Sequence, residues 1–135
     1  MTNVLVIDDE ARVRSALWLL FQHEENVQVV GEAGDMDRAL TLVGEEHPDV
    51  IILDWSMLDN SAEDQTVATL RTLCPPLGVV AISGRPELRT AAQAAGADAF
   101  VSKHDEPAKL RAAVTQCAQC HRATACEDCL EAENE

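Results

Sequence analysis

Asp8, Asp9 and Asp54 each follow a short apolar run: Val4-Leu5-Val6-Ile7 precedes the first two and Val50-Ile51-Ile52-Leu53 the third. Ser83 follows Val79-Val80-Ala81-Ile82 in the same way, and Lys103 follows Ala99-Phe100-Val101 with Ser102 between. Such runs read as strands buried on both faces of a parallel sheet, where ligand chemistry gathers at the carboxyl ends. If those ends are neighbours, the three carboxylates repel and raise one another's pKa. Mg²⁺ relieves this, because it takes oxygen ligands, keeps several waters and needs only one or two carboxylates. With Mg²⁺ and Lys103 balancing the negative charge, an ionised Asp54 could attack phosphorus as a nucleophile. Ser83 could then hydrogen-bond a transferred oxygen.

The elements that must hold these groups alternate along the chain. Strands are expected at Asn3 to Ile7, Gln28 to Ala33, Val50 to Asp54, Val79 to Ile82 and Asp98 to Val101. Between them, apolar residues recur at helical spacing. Val13, Leu17, Leu20 and Phe21 form one such set, and Met36, Ala39, Leu40 and Val43 a second, capped by Asp35. Val67, Leu70 and Cys74 form a third, stopped by Pro75-Pro76. Leu88, Ala91, Ala92 and Ala95 make a fourth, opened by Pro86 and ended by Gly96, and Leu110, Ala113, Val114 and Cys117 a fifth, from about Glu106. Five strands alternating with five helices imply an α/β domain, a parallel sheet covered on both faces. The fourth helix offers mostly alanine inward, so it buries little area and is the element a new contact at Ser83 could shift.

A chain of 135 residues is the size of one domain. Its net charge of −14 excludes a nucleic-acid or anionic-membrane surface of the usual basic kind. The longest apolar run, Ala16 to Phe21, is far short of a membrane span, and no basic leader precedes the first strand. Cytoplasmic residence is the expectation.

The acid pair Asp8-Asp9, Asp54 after its strand, Ser83-Gly84, and Phe100 three residues before Lys103 occur in order on the expected elements. With these features the chain resembles the receiver domain of two-component response regulators over roughly residues 3–116. Gly96 to Lys103 looks most like receivers from regulators with a C-terminal helix-turn-helix. The resemblance implies a flavodoxin-like, doubly wound (βα)5 fold with strand order 2-1-3-4-5. It implies that Asp54 accepts a phosphoryl group from a phosphohistidine on a sensor histidine kinase or phosphotransfer protein. It further implies that Asp9, Asp54 and the Ser56 carbonyl bind Mg²⁺ directly, with Asp8 acting mostly through water. Ser83 and Lys103 would hold the phosphoryl group, and Phe100 would swing inward as Ser83 is drawn toward it. Ser56 and Arg85 would tune the phosphoryl lifetime.

This sequence departs from the family pattern at three places. Leu58 stands where Pro usually follows Met57, Ala62 where glycine is expected, and His104 where Pro follows the lysine, with a cis bond before it. A non-proline cis bond costs about 3 kcal/mol, so either the Lys103–His104 backbone is trans or the fold holds the strain. Taken singly, Asp9 or Glu10 could be a turn-former or helix cap, Phe100 a core residue and Lys103 a solvated charge. Trp55 is expected either exposed on the active face, against a partner, or packed on the loop.

The domain expected over 1–116 is followed by a Cys-rich acidic tail, 117–135. Cys117, Cys120, Cys126 and Cys129 form two C-x-x-C pairs that could hold Zn²⁺. Redox thiols and an unstructured tail are the alternatives, and Cys117 also continues the apolar face of the last helix. The Cys117 to His121 spacing matches haem attachment, which would require export. The function expected is a stand-alone phosphorylation switch, not an enzyme beyond its own phosphoryl chemistry, acting through an unidentified downstream protein. Partners would exclude nucleic acid and membrane, and a dimer formed on phosphorylation is allowed. An aspartyl-phosphate phosphohydrolase is the alternative; it would want an Asp at position 56, where Ser56 stands. A degenerate receiver used as a scaffold is a third.

Overall fold

The structure is a computed structural model that describes residues 1–58 and 63–119. Its strands are β1 (Thr2–Ile7), β2 (Val27–Ala33), β3 (Val50–Asp54), β4 (Gly78–Ser83) and β5 (Ala99–Ser102). They form one parallel sheet in the order β2-β1-β3-β4-β5. The helices are α1 (Ala11–Gln22), α2 (Met36–Glu46), α3 (Glu63–Leu73), α4 (Arg89–Ala94) and α5, which runs over 107–119. This is the doubly wound order and the five-helix count expected of the sequence.

Alternation along each strand divides the core. Leu5, Ile7, Ile51, Leu53, Val79, Ala81 and Phe100 face α2, α3 and α4, meeting Ala39, Val43, Val67, Leu70 and Ala92. Val4, Val6, Val50, Ile52, Val80, Ile82 and Val101 face α1 and α5, meeting Leu17, Phe21, Leu110, Val114 and Cys117. β3 is buried along its whole length because it has strands on both sides and helices on both faces. Each large side chain so buried contributes about 1.5–3 kcal/mol, and truncating Leu53 to alanine would cost about 2–5 kcal/mol. Edge strand β2 has only one neighbour, and its burial is correspondingly partial.

Local chemistry fixes the ends. Asp35 caps α2 by accepting from the Arg38 N–H at 2.8 Å. Asp49 and Asp98 pin the entries to β3 and β5, accepting from the backbone of Asn3 at 2.7 Å and of Val79 at 2.8 Å. Pro86 opens a 3-10 turn over Pro86–Leu88, which leads into an α4 of six residues. Ala92 is the one fully buried residue of α4; Leu88, Ala91 and Ala95 are half-buried. Gly96 follows at φ +110, a left-handed conformation that disfavours any side chain.

The last helix carries Cys117 and Ala118 into the core, so the boundary placed at 116/117 lies inside a helix. Among the described residues, no helix is long and apolar enough to cross a membrane.

Candidate functional site

Register brings the reactive groups together. Ile7 pairs with Leu53, Asp54 with Ile82, and Ser83 with Ser102. Asp8, Asp54, Ser83 and Lys103 therefore leave four adjacent strands at one level of the sheet. Asp8, Asp54 and Ser83 are buried, Lys103 is partly so, and Asp9 is exposed.

Lys103 is the hub. Its Nζ lies 3.2 Å from Asp54 Oδ2 and 2.9 Å from Asp8 Oδ2. The first contact is an aligned hydrogen bond. The second is an ion pair without that alignment, so Asp8 Oδ2 remains a buried oxygen with no hydrogen-bond donor. The lysine is held in place by its own N–H, which donates to the Ser83 carbonyl at 2.8 Å. The other oxygen of Asp54, Oδ1, accepts from the Ser56 N–H at 3.1 Å and the Ser56 hydroxyl at 2.7 Å.

These contacts set the protonation balance. Burial pushes the Asp8 carboxyl above its ordinary value. The Glu10 N–H and Lys103 offset this only in part, and the Asp54 charge adds to it. For Lys103, burial works against the charge, but the close contact with Asp8 and the field of Asp54 outweigh it, so its pKa is raised.

Carboxylate oxygens of Asp8, Asp9 and Glu10 lie within 4.8 Å of one another, a donor set suited to a hard cation. Glu10 was expected only as a turn or cap residue. It stands at the N-cap of α1 without a side-chain cap bond, so its carboxylate is available. Its place directly after two aspartates was the signal that could have found it. Asp54 is not in that group; it meets Asp8 through Lys103.

Ser83 Oγ accepts from the Arg85 N–H at 3.0 Å, which leaves the hydroxyl hydrogen free to donate. Phe100 is buried, and the Arg89 guanidinium rests 5.1 Å from its ring centroid. Trp55 is buried rather than exposed on the active face: at the 3-10 turn Trp55–Met57 its indole joins the core on the side of α2, α3 and α4. That result selects the packing alternative. No cis peptide occurs among the described residues, so Lys103–His104 is trans, and His104 N–H donates to Ser102 Oγ at 3.2 Å.

Cys117 is buried, with its Sγ 3.8 Å from Asp98 Oδ2. Cys120, Cys126 and Cys129, and Ala62 in the loop after β3, lie outside the described residues. Beside the site, α1 and α5 frame a groove of about 770 Å³, lined by Leu17, Ile82, Val101, Leu110 and Lys103 among others.

Comparison with known proteins places this geometry. The chain matches the response regulator receiver domain family over residues 4–115. It is 32% identical over 116 residues to the phosphate regulon transcriptional regulatory protein PhoB of Escherichia coli, covering 83% of this chain and 49% of that protein. It is 30% identical over 117 residues to the nitrate/nitrite response regulator protein NarL of the same species, covering 86% of this chain and 54% of that one. The chain thus spans about half the length of these curated relatives. Among solved structures, the signal receiver domain of the putative response regulator NarL from Mycobacterium tuberculosis superimposes with a TM-score of 0.76 at 32% identity. That match covers 87% of this chain and 96% of the other.

Proposed function

The chain belongs to the response regulator receiver domain family, and on that premise we propose that it is a signalling switch phosphorylated on Asp54. The observation that carries this is the state of Asp54. It is a buried carboxylate at the carboxyl end of the central strand, held by Ser56 on one oxygen and by Lys103 on the other.

The group implied by the family is Mg²⁺, and the residues fit it. Asp8 Oδ2 is buried without an aligned donor, and oxygens from Asp9 and Glu10 stand close by. Asp8 and Asp9 would hold the ion, with Glu10 the third oxygen donor of the same turn; Asp54 and the Ser56 carbonyl are the further ligands that the family resemblance implies. When bound, it supplies charge neutralisation for the transferring phosphoryl oxygens.

The chain's own groups do the rest. Lys103 rests against Asp54 Oδ2, and its raised pKa keeps it cationic there. A bond forms between an Asp54 oxygen and phosphorus as the bond from phosphorus to the donor imidazole nitrogen breaks. The electron pair returns to that nitrogen, which picks up a proton. Ser83 then donates its free hydroxyl hydrogen to a phosphoryl oxygen, and β4, α4 and Phe100 follow.

The phosphodonor is a sensor histidine kinase or phosphotransfer protein, and the groove that Lys103 helps to line gives it an apolar surface. Output is a protein contact in the cytoplasm, read by a downstream partner, and the domain turns over no separate substrate. A phosphohydrolase reading is disfavoured by Ser56, a hydroxyl that can donate to Asp54 but cannot serve as a carboxylic acid.

Acetyl phosphate with Mg²⁺ tests the proposal. The intact mass should rise by one phosphoryl group in the wild type and stay unchanged in Asp54→Asn. Equal gain by both proteins, or by neither, overturns it.

A further inference from the structure

The turn that carries Asp8, Asp9 and Glu10 is tied down from an unexpected side. Arg14, one turn into α1, sends Nη1 back to the Asp8 carbonyl oxygen at 2.7 Å. Its Nε meets Glu32 Oε1 of β2 at 3.2 Å. Asp8 is also fixed by its N–H, which donates to the Ala33 carbonyl at 3.0 Å, and by Oδ1, which accepts from the Glu10 N–H at 2.9 Å. The guanidinium reaches this position across Gly34, where a Cβ would stand only 3.0 Å from Nη1. Every backbone group of the residue that begins the acid turn is therefore engaged, and the one side chain doing so occupies the space that Gly34 leaves.

We propose that Arg14 is a positioning residue for divalent-cation binding by the acid turn, and that Gly34 is bare to admit it. This rests on the cation reading of Asp8 and Asp9 given above. Arg14 touches no reacting atom. It fixes the direction in which the chain leaves β1, and with it the separation of the three carboxylates. A guanidinium acting through charge alone would repel a divalent cation, and removing it would tighten binding. A positioning role has the opposite sign, because the oxygens lose their preset spacing. Partners of this outer kind are typically worth tenfold or more in metal affinity.

The experiment is a calorimetric titration with Mg²⁺ of the wild type, Arg14→Gln, Arg14→Lys and Gly34→Val, each checked for folding by its thermal midpoint. Arg14→Gln is expected to weaken Mg²⁺ binding about tenfold. Arg14→Lys should weaken it less, since one donor can still reach the carbonyl. Gly34→Val, which keeps the arginine but takes its space, should weaken it as Arg14→Gln does. Wild-type affinity in Arg14→Gln and Gly34→Val, or tighter binding in Arg14→Gln, overturns the role of Arg14 while leaving the cation site intact. A merely structural arginine would lower the thermal midpoint and leave the Mg²⁺ affinity in place. Failure of the wild type itself to take up Mg²⁺ overturns the cation reading, and the positioning role with it.

Discussion

Lys103, beyond the end of β5, reaches past β4 to place its Nζ 3.2 Å from Oδ2 of Asp54, at the end of β3. The two residues are 49 apart in sequence, and only the parallel order of the sheet brings them together. Because the lysine also meets Asp8, one cation holds two buried carboxylates.

Removing that cation should be costly. Lys103→Met keeps most of the stem but leaves Asp8 and Asp54 buried without a counter-charge. Loss of one partner from a buried ion pair costs about 3–5 kcal/mol. Urea unfolding without divalent cations should show a loss of this order, partly recovered in Mg²⁺. An unchanged midpoint would refute the account of Lys103 as hub.

Asp8→Asn should act in the opposite direction. The folded protein holds the Asp8 carboxyl above the 3.8 of an unperturbed aspartate, so folding favours its protonated form. Its contribution to stability is then fully present below that value and is lost as pH rises through the raised one. At neutral pH without divalent cations, Asp8→Asn should be more stable than the wild type by about 1 kcal/mol, the scale of functional-site strain. The difference should close on acidification. Thermal unfolding in a chelator across pH 3 to 8 checks both parts; a gap that stays constant would count against the assignment to Asp8.

Two glycines should respond with opposite signs. Gly96→Ala places a Cβ at φ +110, within 3.3 Å of Val67 and 3.2 Å of Arg71, and should cost more than about 1 kcal/mol. Gly44→Ala, inside α2 with nothing within 4 Å, should gain about 0.5–1 kcal/mol. Denaturant midpoints of the two variants settle the pair.

Arg89→Ala should loosen the α4 end of the molecule. The guanidinium over Phe100 is worth about 0.5–1 kcal/mol, and α4 has only Ala92 fully buried to hold it. Amide exchange in α4 and β5 should speed up in the variant without phosphate, and in the wild type once Asp54 carries a phosphoryl mimic. Equal protection in all three states would remove Phe100 and α4 from the switch.

Much of this architecture was legible because a strand buried on both faces must be a continuous apolar run, and four of the five strands are. The ligand-bearing ends were legible for the same reason: Asp54 and Ser83 are the polar residues at which such runs stop, and Lys103 follows another with only Ser102 between. What stayed hidden depends on directions that sequence spacing does not encode. Trp55 follows a buried strand, but whether its indole faces outward is decided by the turn after Asp54. The reach of Arg14 across Gly34 depends on the angle at which α1 approaches the end of β2, which residue spacing does not give. The Lys103–His104 bond stood open between trans and a strained cis form, because the family pattern and the non-proline residue at 104 point opposite ways.

The burial of Trp55 directly after Asp54 has an optical consequence. An indole walled off from water emits at shorter wavelength than one in contact with it, and the second tryptophan, Trp18, is 44% exposed on α1. Trp55, one residue from Asp54, should therefore emit to the blue of Trp18 on α1. Quenching confined to the blue edge of the spectrum would register events at Asp54 without any label.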